Sequence, residues 1–174
     1  MANPCGTLSA LNMKTGCVRD GYGSILSVRI CYAGDLSGTC TASTGTTLLL
    51  TAIPTSGKVF TKYVPTDGLS TFQQVDPKGT AKCFDQTFTG IFTINTGSEA
   101  YQVDVLSDAY YKLIIEDGNN RFFYAGKENG MLCTATQDTS AKGSDGSKWT
   151  LVFTGQEKQP AYEVSASIID ALTI

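Results

Sequence analysis

Apolar and polar residues alternate at every second position along several stretches of this chain, and that period predicts strands. In residues 26–32, Leu26, Val28, Ile30 and Tyr32 fall on one face, with Ser27, Arg29 and Cys31 on the other. Residues 84–94 alternate most cleanly. Phe84, Phe88, Phe92 and Ile94 share a face with Gln86 and Gly90, against Asp85, Thr87, Thr89 and Thr93. At about 3.3 Å per residue this predicts a strand of roughly 35 Å, with Gly90 marking a bulge or bend. Shorter strands are predicted at 47–53, 58–64 and 69–75. Pro54 and Gly57 divide the first two, Pro65-Thr66-Asp67-Gly68 reads as a turn, and Asp76-Pro77-Lys78-Gly79 closes the third.

The period then changes. Thr96-Gly97-Ser98-Glu99 has the capping-box form, and Tyr101, Val105 and Ala109 recur at helical spacing, so one helix of about three turns is expected. A meander follows. Strands are predicted at 111–116, 121–125, 131–136 and 148–154, the last with Trp149, Leu151 and Phe153 on one face. Asp117-Gly118-Asn119-Asn120 and Lys127-Glu128-Asn129-Gly130 supply turns, and a polar loop runs to Ser147. Residues 155–174 contain Pro160 and an apolar end with Ile168, Ile169, Leu172 and Ile174. Residues 1–23 read as an extended arm and 34–47 as a Gly/Ser/Thr-rich loop. With no repeat and no linker, residues 1–174 read as a single domain.

Composition narrows the chemistry. The 174 residues are 41% hydrophobic, a globular value, but only 17% are charged. Histidine is absent, which excludes Ser–His–Asp and Cys–His nucleophilic sites and every zinc site built on imidazole. The net charge of −3 is uneven: residues 1–80 carry +2 and residues 81–174 carry −5. No basic cluster is present to grip phosphates. Six cysteines (Cys5, Cys17, Cys31, Cys40, Cys83 and Cys133) form no CxxC motif. The opening Met-Ala-Asn-Pro-Cys has neither the basic nor the apolar region of a signal peptide, so free thiols are expected, with Cys31 half-buried in a strand. No apolar run approaches the length of a membrane span.

Each candidate site has a plainer explanation. Asp117-Gly118-Asn119-Asn120 resembles part of a calcium loop but lacks the remaining ligands, and a turn accounts for it. Glu116/Asp117 and Asp104/Asp108 are neighbouring acids of the kind a glycosidase places across a cleft, yet a hairpin end and a helix face explain them as solvated charge. Trp149, the only tryptophan, is in phase with Leu151 and Phe153 and belongs in the core rather than on a sugar-stacking surface. No GxGxxG or Walker motif occurs. The expectation is therefore a non-enzyme with no catalytic, metal or cofactor site.

One ordered series of motifs adds to this. Phe88-Thr89-Gly90-Ile91-Phe92 precedes the helix and Tyr111-Lys112-Leu113-Ile114-Ile115-Glu116-Asp117-Gly118-Asn119. Then come Phe123-Tyr124-Ala125-Gly126-Lys127-Glu128-Asn129-Gly130-Met131 and, after a loop, Trp149-Thr150-Leu151-Val152-Phe153-Thr154-Gly155-Gln156-Glu157. In this order the series resembles the small tail-tube proteins of tailed phages and prophages. The resemblance runs from about residue 88 to 164, and residues 1–80 take no part in it. It implies a mostly-β, antiparallel β-sandwich or half-barrel with one short flanking helix. Such subunits form hexameric rings that stack into a virion tail tube. The implied partners are other copies of the chain, a tape-measure protein and a terminator, with DNA only in transit and no membrane. Residues 34–47 would bridge subunits, and acids of the second half would keep DNA sliding by like-charge repulsion. A ring-forming tail terminator is the alternative within this fold. A lectin-like β-sandwich binding module is the alternative outside it, and it requires an exposed aromatic platform.

Overall fold

The computed structural model describes residues 24–36, 40–43, 48–54, 60–66, 69–76, 83–93, 97–107, 109–138 and 148–172. The expected arm at 1–23, Ile94, the turn residues 67–68 and 77–79, and the loop at 139–147 lie outside them. The described strands are β1 (Ile25–Tyr32), β2 (Thr41–Ala42), β3 (Leu49–Ala52), β4 (Thr61–Tyr63), β5 (Thr71–Val75) and β6 (Phe84–Thr93). After α1 (Gly97–Leu106) come β7 (Tyr110–Asp117), β8 (Phe122–Ala125), β9 (Met131–Asp138), β10 (Lys148–Glu157) and β11 (Tyr162–Val164), and then α2 (Ala166–Leu172). The expected mostly-β sandwich or half-barrel is what forms.

All eleven strands belong to one sheet, ordered β2-β3-β11-β8-β7-β9-β10-β6-β5, with β1 and β4 branching from β7. β7 is the joint. It pairs with β1 along Tyr111–Asp117 and with β8 over Leu113–Glu116, while only Tyr110 and Tyr111 reach β9. The sheet folds over at this short contact, so two limbs face each other. Val28 and Ile30 of β1 and Leu113 and Ile115 of β7 meet Phe88 of β6, Cys133 of β9, and Leu151 and Phe153 of β10. Each large side chain buried there contributes about 1.5–3 kcal/mol relative to exposure. The pairing is antiparallel throughout, except that β11 runs parallel to β3.

A third layer covers the back of the β1–β7–β8–β11 limb. Ile114, Leu50, Tyr124 and Val164 pack there with Ile169 and Leu172 of α2. This corrects the expectation of a single helix. α2 has seven residues, too short to show a period, and it is held by Ile169 and Leu172 at a spacing of three. Cys31 of β1 belongs to the same cluster. The expected alternation fails on β1: Val28 and Ile30 are buried, but Leu26 and Tyr32 of the expected apolar face are exposed, and Ser27, Arg29 and Cys31 of the expected polar face are all buried, with a register shift between Ile25 and Ser27. Cys31, expected to be half-buried, is only 2% exposed. Arg29 donates there to Glu116 Oε2 at 3.2 Å and lies over the Phe122 ring.

β6 follows its predicted alternation, with Gln86, Phe88, Gly90 and Phe92 inside. Its pairing with β10 is unbroken from Phe84↔Glu157 to Thr93↔Lys148, so Gly90 makes no bulge. A Cβ at Gly90 would stand 2.6 Å from the Phe92 ring and 2.9 Å from the Phe88 ring, and glycine leaves room for both. α1 is turned differently from its predicted stripe. Val103 and Leu106 enter the core, while Tyr101 and Val105 are exposed. The segment 34–47, expected to be a loop throughout, starts inside a short 3-10 turn (Ala33–Asp35) and contains strand β2, with residues 37–39 and 44–47 outside the described set.

Candidate functional site

The acidic pairs suggested by the sequence are separated by strand geometry. Glu116 and Asp117 are successive residues of β7 and point to opposite sides. Glu116 accepts from Ser27 Oγ and Arg29. Asp117 Oδ1 accepts the backbone N–H groups of Asn119 and Arg121 at 2.9 Å each, and Oδ2 accepts Arg121 Nε and Nη2 at 3.0 and 2.8 Å. Burial alone would raise this carboxyl, but the hydrogen bonds and the guanidinium outweigh it and hold Asp117 below the usual carboxylate range. Its acceptor capacity goes into closing the β7–β8 turn, where Asn120 takes φ 58°. Asp104 is exposed on α1, and Asp108 lies outside the described residues. Among the described residues, no three His, Cys, Asp or Glu side chains gather as a metal site would need. Trp149, expected in the core, is only half-buried and packs against the core's edge.

Two pieces of the ordered motif series lock together. The Gly126–Gly130 turn requires left-handed backbone at both ends, with φ of +70° and +76°. The Glu157 carboxylate accepts the N–H groups of Glu128 and Asn129 at 2.9–3.1 Å. Asn129 Nδ2 donates to the Gln156 carbonyl at 2.7 Å, and Gly126 N–H donates to Gln86 Oε1 at 3.0 Å. Gly155 lets the strands meet, since a Cβ there would stand 2.7 Å from the Gly130 carbonyl oxygen. Burial pushes Glu157 above the usual carboxylate range, and the N–H donors hold it partly back. The Gly-x-Glu-Asn-Gly and Thr-Gly-x-Glu motifs are thus two halves of one structural clasp.

The chemistry-bearing concavity that the sequence did not reveal lies at the other end of β1. A groove of about 630 Å³ opens between α1 and the β1–β4 edge. Tyr32 enters from β1, Tyr63 from β4, Tyr101 and Gln102 from α1, and Tyr111 from β7, with Asp35 at the rim. Tyr32 is 49% and Tyr101 69% exposed. Tyr111 Oη donates to the Val105 carbonyl at 3.0 Å, fastening α1 to β7. Among the described residues, the groove's exposed aromatic rings are those of Tyr32 and Tyr101, and Trp149 does not line it. Its members come from four elements up to 79 positions apart, so no linear motif announces it.

Among the described residues the thiols of Cys31, Cys40, Cys83 and Cys133 are unpaired with one another. Burial pushes Cys31 up to about 11 and Cys133 up to about 12. No described helix is long and apolar enough to cross a membrane. No family model, curated protein or solved structure matches this chain.

Proposed function

We propose that this chain is a tail-tube subunit, a structural virion protein that assembles into stacked hexameric rings forming a conduit for DNA. The observation that carries the reading is the state of the sheet's outer strands. β2 pairs only with β3, β5 only with β6 and β4 only with β1, so each has an outer edge with no described strand beside it. Val75 on β5 and Val64 just beyond β4 are 54% and 67% exposed. An open edge flanked by apolar side chains is a template for pairing with another chain, and closure into a ring uses it up. The ordered motif series of residues 88–164 supports the same reading, with its clasp fixing the β9–β10 limb.

The solvent face of β5, β6, β9 and β10 suits a wall that DNA passes without holding. It is rich in threonine, including Thr87, Thr89, Thr134, Thr136, Thr150 and Thr154. Lys148 is the one cation it carries among the described residues, and Asp138 stands directly opposite it. Phosphate binding scales with the number of cations engaged, so such a face holds DNA weakly. Acids of the second half complete this account by repulsion.

Sedimentation velocity on the purified protein tests the edge argument. The wild type is expected to sediment as rings or larger, and Val75→Lys to shift it toward monomer, while Asp170→Lys on the exposed side of α2 does not. A wild type that stays monomeric at every accessible concentration refutes the proposal.

A further inference from the structure

We infer that the tyrosine groove between α1 and the β1–β4 edge is a saccharide-binding site. Its size falls in the range of about 300–1,000 Å³ typical of small-ligand pockets. A pyranose has an apolar C–H face and a rim of hydroxyls. It is held by flat aromatic rings together with planar polar groups that can both donate and accept. The groove offers both. Tyr32 and Tyr101 present exposed rings from facing elements, and Asp35 and Gln102 supply a carboxylate and an amide beside them. Among the described residues, the side chains of Tyr32, Tyr101 and Gln102 make no hydrogen bond that would compete with a ligand.

The same features exclude other ligand classes. Among the described residues no Lys or Arg lines the groove, which disfavours phosphates, sulfates and nucleotides beside Asp35. Tyr32 and Tyr111 pack edge to face, with centroids 6.2 Å apart, so the rings touch each other instead of enclosing a small cage for an ammonium group. The Tyr111–Val105 hydrogen bond keeps α1 in place, so the groove is formed before any ligand arrives. The inference does not depend on assembly into a tube.

Calorimetric titration of the full chain with neutral trisaccharides of glucose, galactose and N-acetylglucosamine tests it. Saturable binding of at least one is expected. Tyr101→Ala should weaken it by about tenfold, the loss of one stacking surface, while Tyr101→Phe retains most of it. Because Tyr101 is so exposed, circular dichroism and thermal stability of both variants should match the wild type. Three results would overturn the inference: no saturable heat with any of the three sugars, binding indifferent to Tyr101→Ala, or dissociation of assembled rings by Tyr101→Ala. The last would make the groove a subunit contact. Failure here leaves the sedimentation result untouched, so the two proposals fail separately.

Discussion

Adding one methyl group at Gly155 probes the clasp between the Gly126–Gly130 turn and β10. In Gly155→Ala the new Cβ would lie 2.7 Å from the Gly130 carbonyl oxygen and 3.1 Å from Met131 Cγ. Ordinary contact begins near 3.4 Å, so the two backbones must part by about 0.7 Å. Gly130 cannot easily give way, because its N–H is bonded to the Gly126 carbonyl and the preceding Asn129 N–H to Glu157. Overpacking of this kind costs about 1–3 kcal/mol. Replacing glycine also restricts the unfolded chain, which returns about 0.4–1 kcal/mol. The expected net loss is about 1–2 kcal/mol. Gly34→Ala is the internal control. Its Cβ would meet the Tyr32 ring at 2.6 Å, nominally a worse clash, but that ring is half exposed and can swing away. Gly34→Ala should therefore change stability by less than about 0.5 kcal/mol. Urea unfolding measures both as a shift in midpoint at constant slope. Equal effects of the two variants, or a Gly155→Ala protein as stable as the wild type, would refute the idea that backbone approach at Gly130 sets this requirement.

Asp117→Asn should lower stability at neutral pH by about 1–2 kcal/mol, a value kept low because Arg121 is 55% exposed and screened. Since folding lowers the Asp117 pKa, its contribution is complete above the unfolded carboxylate value and is lost as pH falls through the folded one. The gap between wild type and variant in urea midpoints should therefore close in acid; a gap that persists unchanged would contradict the assigned hydrogen bonds. Ile169→Ala, at a residue 1% exposed, should cost about 2–4 kcal/mol in the same assay, and a neutral effect would mean that α2 does not cover the sheet. In the native protein at mildly alkaline pH, Cys40 and Cys83 should react with a maleimide well before Cys31 and Cys133, read by peptide mass mapping. Rapid labelling of either buried thiol would contradict their placement.

What the sequence discloses follows the range of its signals. Alternation places Phe88 and Phe92 inside β6, and Leu151 and Phe153 inside β10, because each of those strands has one wet face. The Asp117 turn is legible because its chemistry is local. β1 misleads for the opposite reason: its second face is also covered, Cys31 by the cluster that includes α2 and Arg29 by Glu116 and Phe122, so both are buried at positions that look solvent-facing. α1 misleads because its apolar residues do not form a single stripe. Tyr101 and Val105 have helical spacing as good as that of Val103 and Leu106, and only the sandwich decides which pair is covered. Tyr101, left outside, becomes part of the groove. The groove and the parallel β3–β11 pairing join residues distant in the chain, and neither leaves a pattern in any one stretch.

Electron microscopy of the purified protein, with no other component, tests the central proposal most directly. Long hollow tubes of stacked six-membered rings are the predicted result. Rings that never stack would assign the chain to a terminator, and a uniform population of monomers would contradict the account altogether.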